Sequence, residues 1–380
     1  MYINFWYPIA DSDEVRDDKP LRVELMGLRY VTFRDDDGQA HVLRDVCVHR
    51  GGSLGKGWVR EGGVVCPYHG WRFGGDGKCQ HIPTLPEDKP PARAKVDSYP
   101  VEERYGIVFA FLGDLPEAER PPAPHIPEWD QDGWRANKLT VFEVGAYFER
   151  SMENGLDPSH NEFVHPAQGS PNMNQDLRRK PLDVQDVPWG SRFLVRFENE
   201  VKGTEALGEK ATLVPEVEAG SGHIGPNHMI TWINFSETNR FSQYFFEAPI
   251  NEGRTRIFFV NMRAFLLEPE HDERIAKVNL MVAQEDIDIL EELDPVRTPD
   301  STTKEVLVPS DGAVLRYREW LKKWDDKGWR IDLKTLRDKK GDIAYSIPCP
   351  GRRESGNWVL DTVPLVDADT AAAKPRVAQG

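Results

Sequence analysis

From residue 21 to about residue 113, short runs of apolar and β-branched positions are interrupted by glycine and charge clusters. Arg29-Tyr30-Val31-Thr32-Phe33-Arg34, closed by Asp35-Asp36-Asp37-Gly38, is a clear instance and predicts a strand followed by a turn. The whole stretch reads as a small antiparallel barrel or sandwich. Its last run, Ile107-Val108-Phe109-Ala110-Phe111-Leu112 between two glycines, is apolar at every position, the pattern of a buried strand. A proline-rich, linker-like stretch follows at 116–127, and the domain boundary is placed there, giving domains at 1–118 and 119–380.

Beyond the boundary a helical pattern at 145–152 leads into a polar stretch at 166–188, rich in Asn, Gln, Asp and Pro, which reads as a loop or lid. Three aromatic-rich strand candidates come next, at 228–235, 240–250 and 254–265, separated by turn signals such as Asn251-Glu252-Gly253. They predict an antiparallel sheet. Helix patterns cover 270–293 and 312–324, and 371–380 reads as a frayed tail. The fold class is therefore α+β, an all-β first domain before a mixed second one, with no internal repeat.

A length of 380 residues exceeds one typical core and suits two domains of unequal size. The 63 acidic residues outnumber 48 basic ones, for a net charge of −15, and no basic block could neutralise a row of phosphates, so nucleic acid is not expected as a partner. No stretch approaches the ~20 apolar residues of a membrane span, and the start lacks the basic and apolar regions of a signal peptide. A soluble, cytoplasmic protein is the expectation. Only four cysteines occur, Cys47, Cys66, Cys79 and Cys349, too few for a disulfide-stapled scaffold.

Two of those cysteines fall in a ligand pattern. Cys47-Val48-His49 and Cys66-Pro67-Tyr68-His69 are separated by sixteen residues, and each half offers one thiolate and one imidazole. Two thiolates on one iron and two imidazoles on the other make a [2Fe–2S] centre of raised potential, suited to passing electrons. Gly51-Gly52, Gly62-Gly63 and Gly70 supply the loop chemistry. A zinc site is the competing assignment, but zinc motifs normally leave two or more residues between paired ligands, and Cys47 and His49 leave one. Cys79 and Cys349 have no histidine at ligand spacing and are expected to be structural.

Together with Gly70-Trp71, these residues resemble the Rieske domain over about 20–115. The resemblance implies a [2Fe–2S] cluster held by Cys47, His49, Cys66 and His69 and fed by a ferredoxin or a ferredoxin reductase. Rieske proteins of respiratory complexes brace the cluster loops with a disulfide at positions that fall here on Gly52 and Tyr68, so the likeness is to the oxygenase branch.

A second motif, Asn154-x2-Asp157-x2-His160-x4-His165, could supply two imidazoles to a metal. On an ideal helix a five-residue step turns about 500° and leaves the two rings ~140° apart. A shared metal therefore requires an irregularity, from Pro158 and Pro166 or a π-type bulge. Two imidazoles and one carboxylate on one face of Fe(II) leave positions open for O2. The carboxylate is sought in the helix at 270–293, where Ile275, Val278, Val282, Ile289 and Leu293 form an apolar stripe with Asp286 in its middle. A buried carboxylate needs a metal or a strong partner. Asp286 therefore ranks ahead of Glu285, at the stripe's edge, and Asp288, on the polar side. A salt-bridged aspartate is the alternative.

Asn154, Asp157, His160 and His165, with Gln284-Glu285-Asp286, resemble the mononuclear-iron motif of Rieske non-haem iron oxygenases, extending the likeness over most of 20–295. It implies a helix-grip, START-like catalytic domain with iron held by His160, His165 and Asp286. It also implies a head-to-tail homotrimer in which Asp157 hydrogen-bonds His49 or His69 of the adjacent subunit. For Asp157 the alternative is a turn or N-cap aspartate before Pro158, and for Asn154 a helix-face amide. Chain length and the run Trp71-Arg72-Phe73-Gly74-Gly75-Asp76-Gly77 resemble the 3-ketosteroid 9-alpha-hydroxylase and vanillate O-demethylase groups of monooxygenases.

The activity so implied is hydroxylation or oxidative demethylation of an apolar, aromatic or polycyclic small molecule, using O2 and electrons from NAD(P)H through a reductase. A cis-dihydroxylating dioxygenase, a Rieske electron carrier and a zinc-stabilised binding module are the alternatives. Phe163, Trp232, Phe235, Tyr244, Phe246 and Phe258 are the aromatic candidates for a pocket wall. The segment 305–380 has no assigned role.

Overall fold

The apolar run expected as a buried strand is Ile107–Leu112, and every residue in it is buried. It lies between the antiparallel strands Phe5–Asp11 and Val101–Arg104, which explains its lack of alternation. The computed structural model describes residues 1–85, 89–165, 181–198, 216–235 and 238–368, and the chain forms two units.

In the first unit two further antiparallel sheets accompany that strand. One orders Leu21–Leu25, Leu28–Arg34, Ala40–Arg44 and Ser98–Tyr99, and the other Trp58–Arg60, Gly63–Val65, Arg72–Phe73 and Cys79–His81. Val31, Phe33, Leu43, Leu54, Val64 and Phe73 fill a core that also buries Cys47, Cys66 and Cys79. This is the all-β domain that the strand pattern predicts.

The unit comprises Met1–Pro124 together with Lys327–Ala368, which corrects the expected limits of 1–118 and 119–380. The cause is a buried charge. Asp97 is fully buried and accepts two hydrogen bonds from the Arg352 guanidinium, at 2.6 and 2.8 Å, across 255 residues of sequence. Tyr99 donates to the Ile347 carbonyl at 2.8 Å, and Arg44 Nε donates to that of Tyr345 at 2.7 Å. A carboxylate without solvent must find a cation, and among the described residues Arg352 of the late segment supplies it.

The second unit, His125–Asp326, is built on an eight-stranded antiparallel sheet. Its order is Arg135–Ala136, Arg254–Arg263, Arg240–Asn251, His228–Asn234, Glu216–Ile224, Gly190–Glu198 and Val184–Val187, with Thr140–Val144 also paired to Arg254–Arg263. The three aromatic-rich candidates are thus adjacent strands. Of the expected loop at 166–188, residues 166–180 lie outside the described residues, as does the expected tail at 371–380, while Val184–Val187 is a strand.

Four helices concern the site: α1 (Phe148–Gly155), α2 (Asn161–Val164), α3 (Asp272–Leu290) and α4 (Gly312–Asp325). Near its C-terminal end α3 packs Ile287 and Leu290, with Leu293 just beyond, against Phe142, Val144, Ala146, Phe245 and Ile257. Its first residue, Asp272, is gripped by Arg135 and Arg263, which hold the carboxyl down to about 2. The expected stripe is partly corrected. Val278 and Ile289 are exposed, because the packed face drifts toward Ile287 and Leu290 along the helix. No helix among the described residues is long and apolar enough to cross a membrane.

Candidate metal centres

The two Cys-His pairs sit on loops of matching hydrogen-bond pattern. Cys47 N donates to Gly52 O at 2.7 Å and Gly51 N to Cys47 O at 2.9 Å; Cys66 N donates to Trp71 O at 2.8 Å and Gly70 N to Cys66 O at 2.9 Å. Gly51 and Gly70 take positive φ of 74° and 73°, which glycine adopts without a Cβ penalty. A Cβ on Gly52 would stand 2.9 Å from Cys66 Sγ and 3.4 Å from Tyr68 Cβ, so glycine lets the loops close. Positions 52 and 68 thus face each other where the resemblance places a disulfide in respiratory proteins.

Both sulfurs are buried, whereas His49 and His69 are exposed, their ring centroids 4.4 Å apart at 70°. His49 stacks on Trp71 with centroids 4.5 Å apart and 6° between planes. A hydrogen bond from Cys47 draws the Cys66 thiol down to about 6, while the same bond and burial push Cys47 up. Two thiolates inward and two imidazoles outward fit a [2Fe–2S] group of mixed ligation. Burial pushes Cys79 up to about 11 and Cys349 up to about 12, so both are protonated thiols in packed surroundings.

In the second unit His160, His165 and Asp286 converge, each offering one ligand atom within 4.8 Å of the others. The irregularity required between the histidines is a helix boundary at each. His160 is the residue before α2, and His165 is the residue after it, with φ −112° and ψ 73°. The rings end 5.2 Å apart at 74°. No π-bulge separates them among the described residues, and Pro166 lies outside those residues.

Asp286 Oδ1 lies 3.5 Å from His160 Nε2 and 3.3 Å from His165 Nε2, and accepts a 2.9 Å hydrogen bond from Asn154 Nδ2. Burial opposes ionisation of Asp286, but the neighbouring His160 and His165 imidazoles and the Asn154 amide outweigh it and hold the carboxyl far below its ordinary range. His160 Nδ1 faces the Asp157 carbonyl at 2.6 Å. A carbonyl only accepts, so the proton sits on Nδ1 and Nε2 keeps its lone pair toward Asp286. Burial pushes the His165 imidazole down, but Asp286 and Glu285 overcome it and the net shift is upward. The donor set and the facing lone pairs fit a divalent iron with open positions.

The end of α1 is seated by Gly155, where a Cβ would come within 2.0 Å of Met229 Sδ and whose carbonyl accepts from Ser221 Oγ at 2.7 Å. That seating brings Asn154 to Asp286. The Asp157 carboxylate accepts from Ser159 N at 2.7 Å, the turn geometry given as its alternative role. Among the aromatic candidates Tyr244, Phe246 and Phe258 are buried, and the Tyr244 hydroxyl is already engaged by Glu128 at 2.6 Å. Phe163, on α2, is 73% exposed instead of forming a wall. Sequence reasoning ranked Glu285 below Asp286 as a ligand and gave it no other role, whereas its Oε2 is 2.9 Å from His165 Nδ1. The available signal was its place beside Asp286.

Residues 5–100 match the Rieske [2Fe-2S] domain, and residues 144–327 match the vanillate O-demethylase oxygenase C-terminal domain. The chain belongs to the Rieske-type oxygenases, with a [2Fe-2S] domain in its first part and, in the second, a His160, His165 and Asp286 set that could hold a metal ion. Within that class it is 26% identical, over a 396-residue alignment, to the probable 3-ketosteroid-9-alpha-monooxygenase oxygenase component of Rhodococcus rhodochrous, covering 99% of this chain and 92% of that protein. It is 37% identical over 165 residues to chlorophyllide a oxygenase of Chlamydomonas reinhardtii, covering 43% of this chain but only 24% of the length of that relative. Among solved structures, the NdmA QL mutant of Pseudomonas putida CBB5 with theobromine superposes with a TM-score of 0.69 at 25% identity, covering 84% of this chain and 89% of that one.

Proposed function

We propose that this chain is the terminal oxygenase component of a Rieske system that hydroxylates or oxidatively demethylates an apolar, aromatic or polycyclic small molecule. O2 is the cosubstrate, and electrons come from NAD(P)H through a ferredoxin, a ferredoxin reductase or both. One observation carries the reading: a His160, His165 and Asp286 cluster in the same chain as a complete Cys2His2 pair of loops. An electron carrier needs only the loops.

In this reading Cys47 and Cys66 would hold one iron of the cluster and His49 and His69 the other, while His160, His165 and Asp286 would hold the mononuclear iron. Bound there, the mononuclear iron supplies the activation of O2. Asn154 holds the Asp286 carboxylate in its orientation, and the Asp157 carbonyl holds His160 with its Nε2 lone pair directed inward. The Asp157 carboxylate would accept a hydrogen bond from His49 or His69 of the adjacent subunit in a homotrimer. Support for that bridge is the exposure of both cluster imidazoles and the direct link from Asp157 to His160. A ketosteroid substrate for one relative and theobromine in the NdmA mutant structure support the substrate class. Four free cysteines are compatible with a cytoplasmic location.

Elemental analysis of the purified holoprotein tests the reading. About three irons and about two acid-labile sulfides per chain are expected. About two irons would reduce the chain to an electron carrier, and zinc in place of iron would reject both centres. Asp157→Ala is expected to keep both centres loaded and lose turnover; unchanged activity would reject the bridge. Solution mass checks the trimer. A product screen with aromatic ethers, sterol-like ketones and alkaloid-like amines, supplied with a reductase and NADH, identifies the substrate.

A further inference from the structure

Glu285 and Asp286 are consecutive on α3, and consecutive helical residues point about 100° apart. The two carboxylates nevertheless reach the same imidazole. Asp286 Oδ1 lies 3.3 Å from His165 Nε2, and Glu285 Oε2 lies 2.9 Å from His165 Nδ1. His165 is buried, and its ring is approached at both nitrogens from one helix.

The partner of the other histidine is different in kind. His160 Nδ1 meets a neutral backbone carbonyl, that of Asp157, at 2.6 Å. His165 Nδ1 meets a carboxylate instead, which brings a full negative charge to the ring. A carboxylate accepting the Nδ1 proton fixes the tautomer that leaves Nε2 free to ligate, and it makes the imidazole a stronger donor. It also changes the charge of the centre. Two neutral imidazoles and Asp286 leave a divalent ion with one uncompensated positive charge, and Glu285 cancels it without occupying a coordination position.

We infer that Glu285 is a positioning residue of the mononuclear centre, orienting His165 and supplying the second negative charge that a divalent ion needs there. The inference rests on His160, His165 and Asp286 being the ligands, so its test carries a separate control for that. Residue length matters: an aspartate at 285 is one methylene shorter and would fall short of Nδ1. A glutamine keeps an acceptor oxygen for the Nδ1 proton while removing the charge.

The experiment uses the full-length, cluster-loaded protein with its mononuclear iron removed, titrated with Fe(II) alone under anaerobic conditions. Affinity is read by iron retained at defined free Fe(II), with cluster absorbance and Tm as folding controls. Glu285→Ala is expected to weaken Fe(II) binding about 10–100-fold with both controls unchanged, and Glu285→Gln to recover part of that loss. Wild-type affinity in Glu285→Ala overturns the inference, as does a Glu285→Gln variant no better than alanine, because the hydrogen bond would then have no orienting role. His165→Ala is the control: if it too binds Fe(II) normally, the ligand assignment fails rather than the role of Glu285. Should Glu285→Ala not fold, Glu285→Gln decides alone, with an affinity equal to wild type counting against the charge.

Discussion

Glu247 is fully buried on strand Arg240–Asn251, and its carboxyl group accepts a hydrogen bond from Ser151 Oγ on α1, at 2.7 Å. Oε2 has no hydrogen-bond partner among the described residues. Burial pushes this carboxyl up to about 8, with the Ser151 bond pulling weakly the other way. The folded chain therefore keeps Glu247 protonated while an unfolded chain ionises it near 4.5. Its contribution to stability is fully present below that value and is lost progressively as pH rises toward about 8. Glu247→Gln, neutral at every pH, is expected to flatten the fall in stability between those limits and to gain on the order of a few kcal/mol at its upper end. Denaturant midpoints at pH 5 and pH 8 check this. An equal pH dependence in the two proteins would contradict it. Like Asp97, this carboxyl reads in the sequence as one more acidic residue of the net −15, because burial has no local signature.

At the scale of elements, α1 is held by charge as much as by apolar packing. Arg318 on α4 is 2% exposed and grips Glu153 through two hydrogen bonds of 2.6 and 2.7 Å, with Glu305 at 2.7 Å. Arg150 on α1 pairs with Glu305 at 2.6 Å. Burial raises the Glu153 carboxyl even with Arg318 beside it, so the pair is costly to break from one side. Arg318→Met is expected to cost about 3–5 kcal/mol. Because α1 also carries Asn154, retention of the mononuclear iron should fall with it. The double variant with Glu153→Gln should recover much of the loss, since it removes the stranded charge, and thermal unfolding of the three proteins checks the order. Elements were legible here where the local pattern is distinctive, as in the apolar stripe of α3 and the aromatic-rich runs and turn signals of the three strands. Gly190–Glu198 and Glu216–Ile224 were not, since their runs of glycine and charge match neither a strand nor a helix period clearly.

For the whole molecule, Lys327–Ala368 joins the first unit although the sequence between is occupied by the second. Arg352→Met strands the Asp97 carboxylate, and a loss of about 3–5 kcal/mol from the first unit is expected, with lowered cluster absorbance as its readout. Cluster content equal to wild type after mild heating would contradict that. By itself the sequence determined the chemistry: ligand types, their spacing within each motif, and two centres of different kind. Those are local facts, carried by residues a few positions apart. Only the tertiary structure decided which carboxylate meets the two histidines and that a second one, Glu285, backs His165. It also decided that the C-terminal segment completes the first unit. These pairings span roughly 120 to 255 residues. They are set by where buried charges find partners, a condition that exists only once the chain has folded.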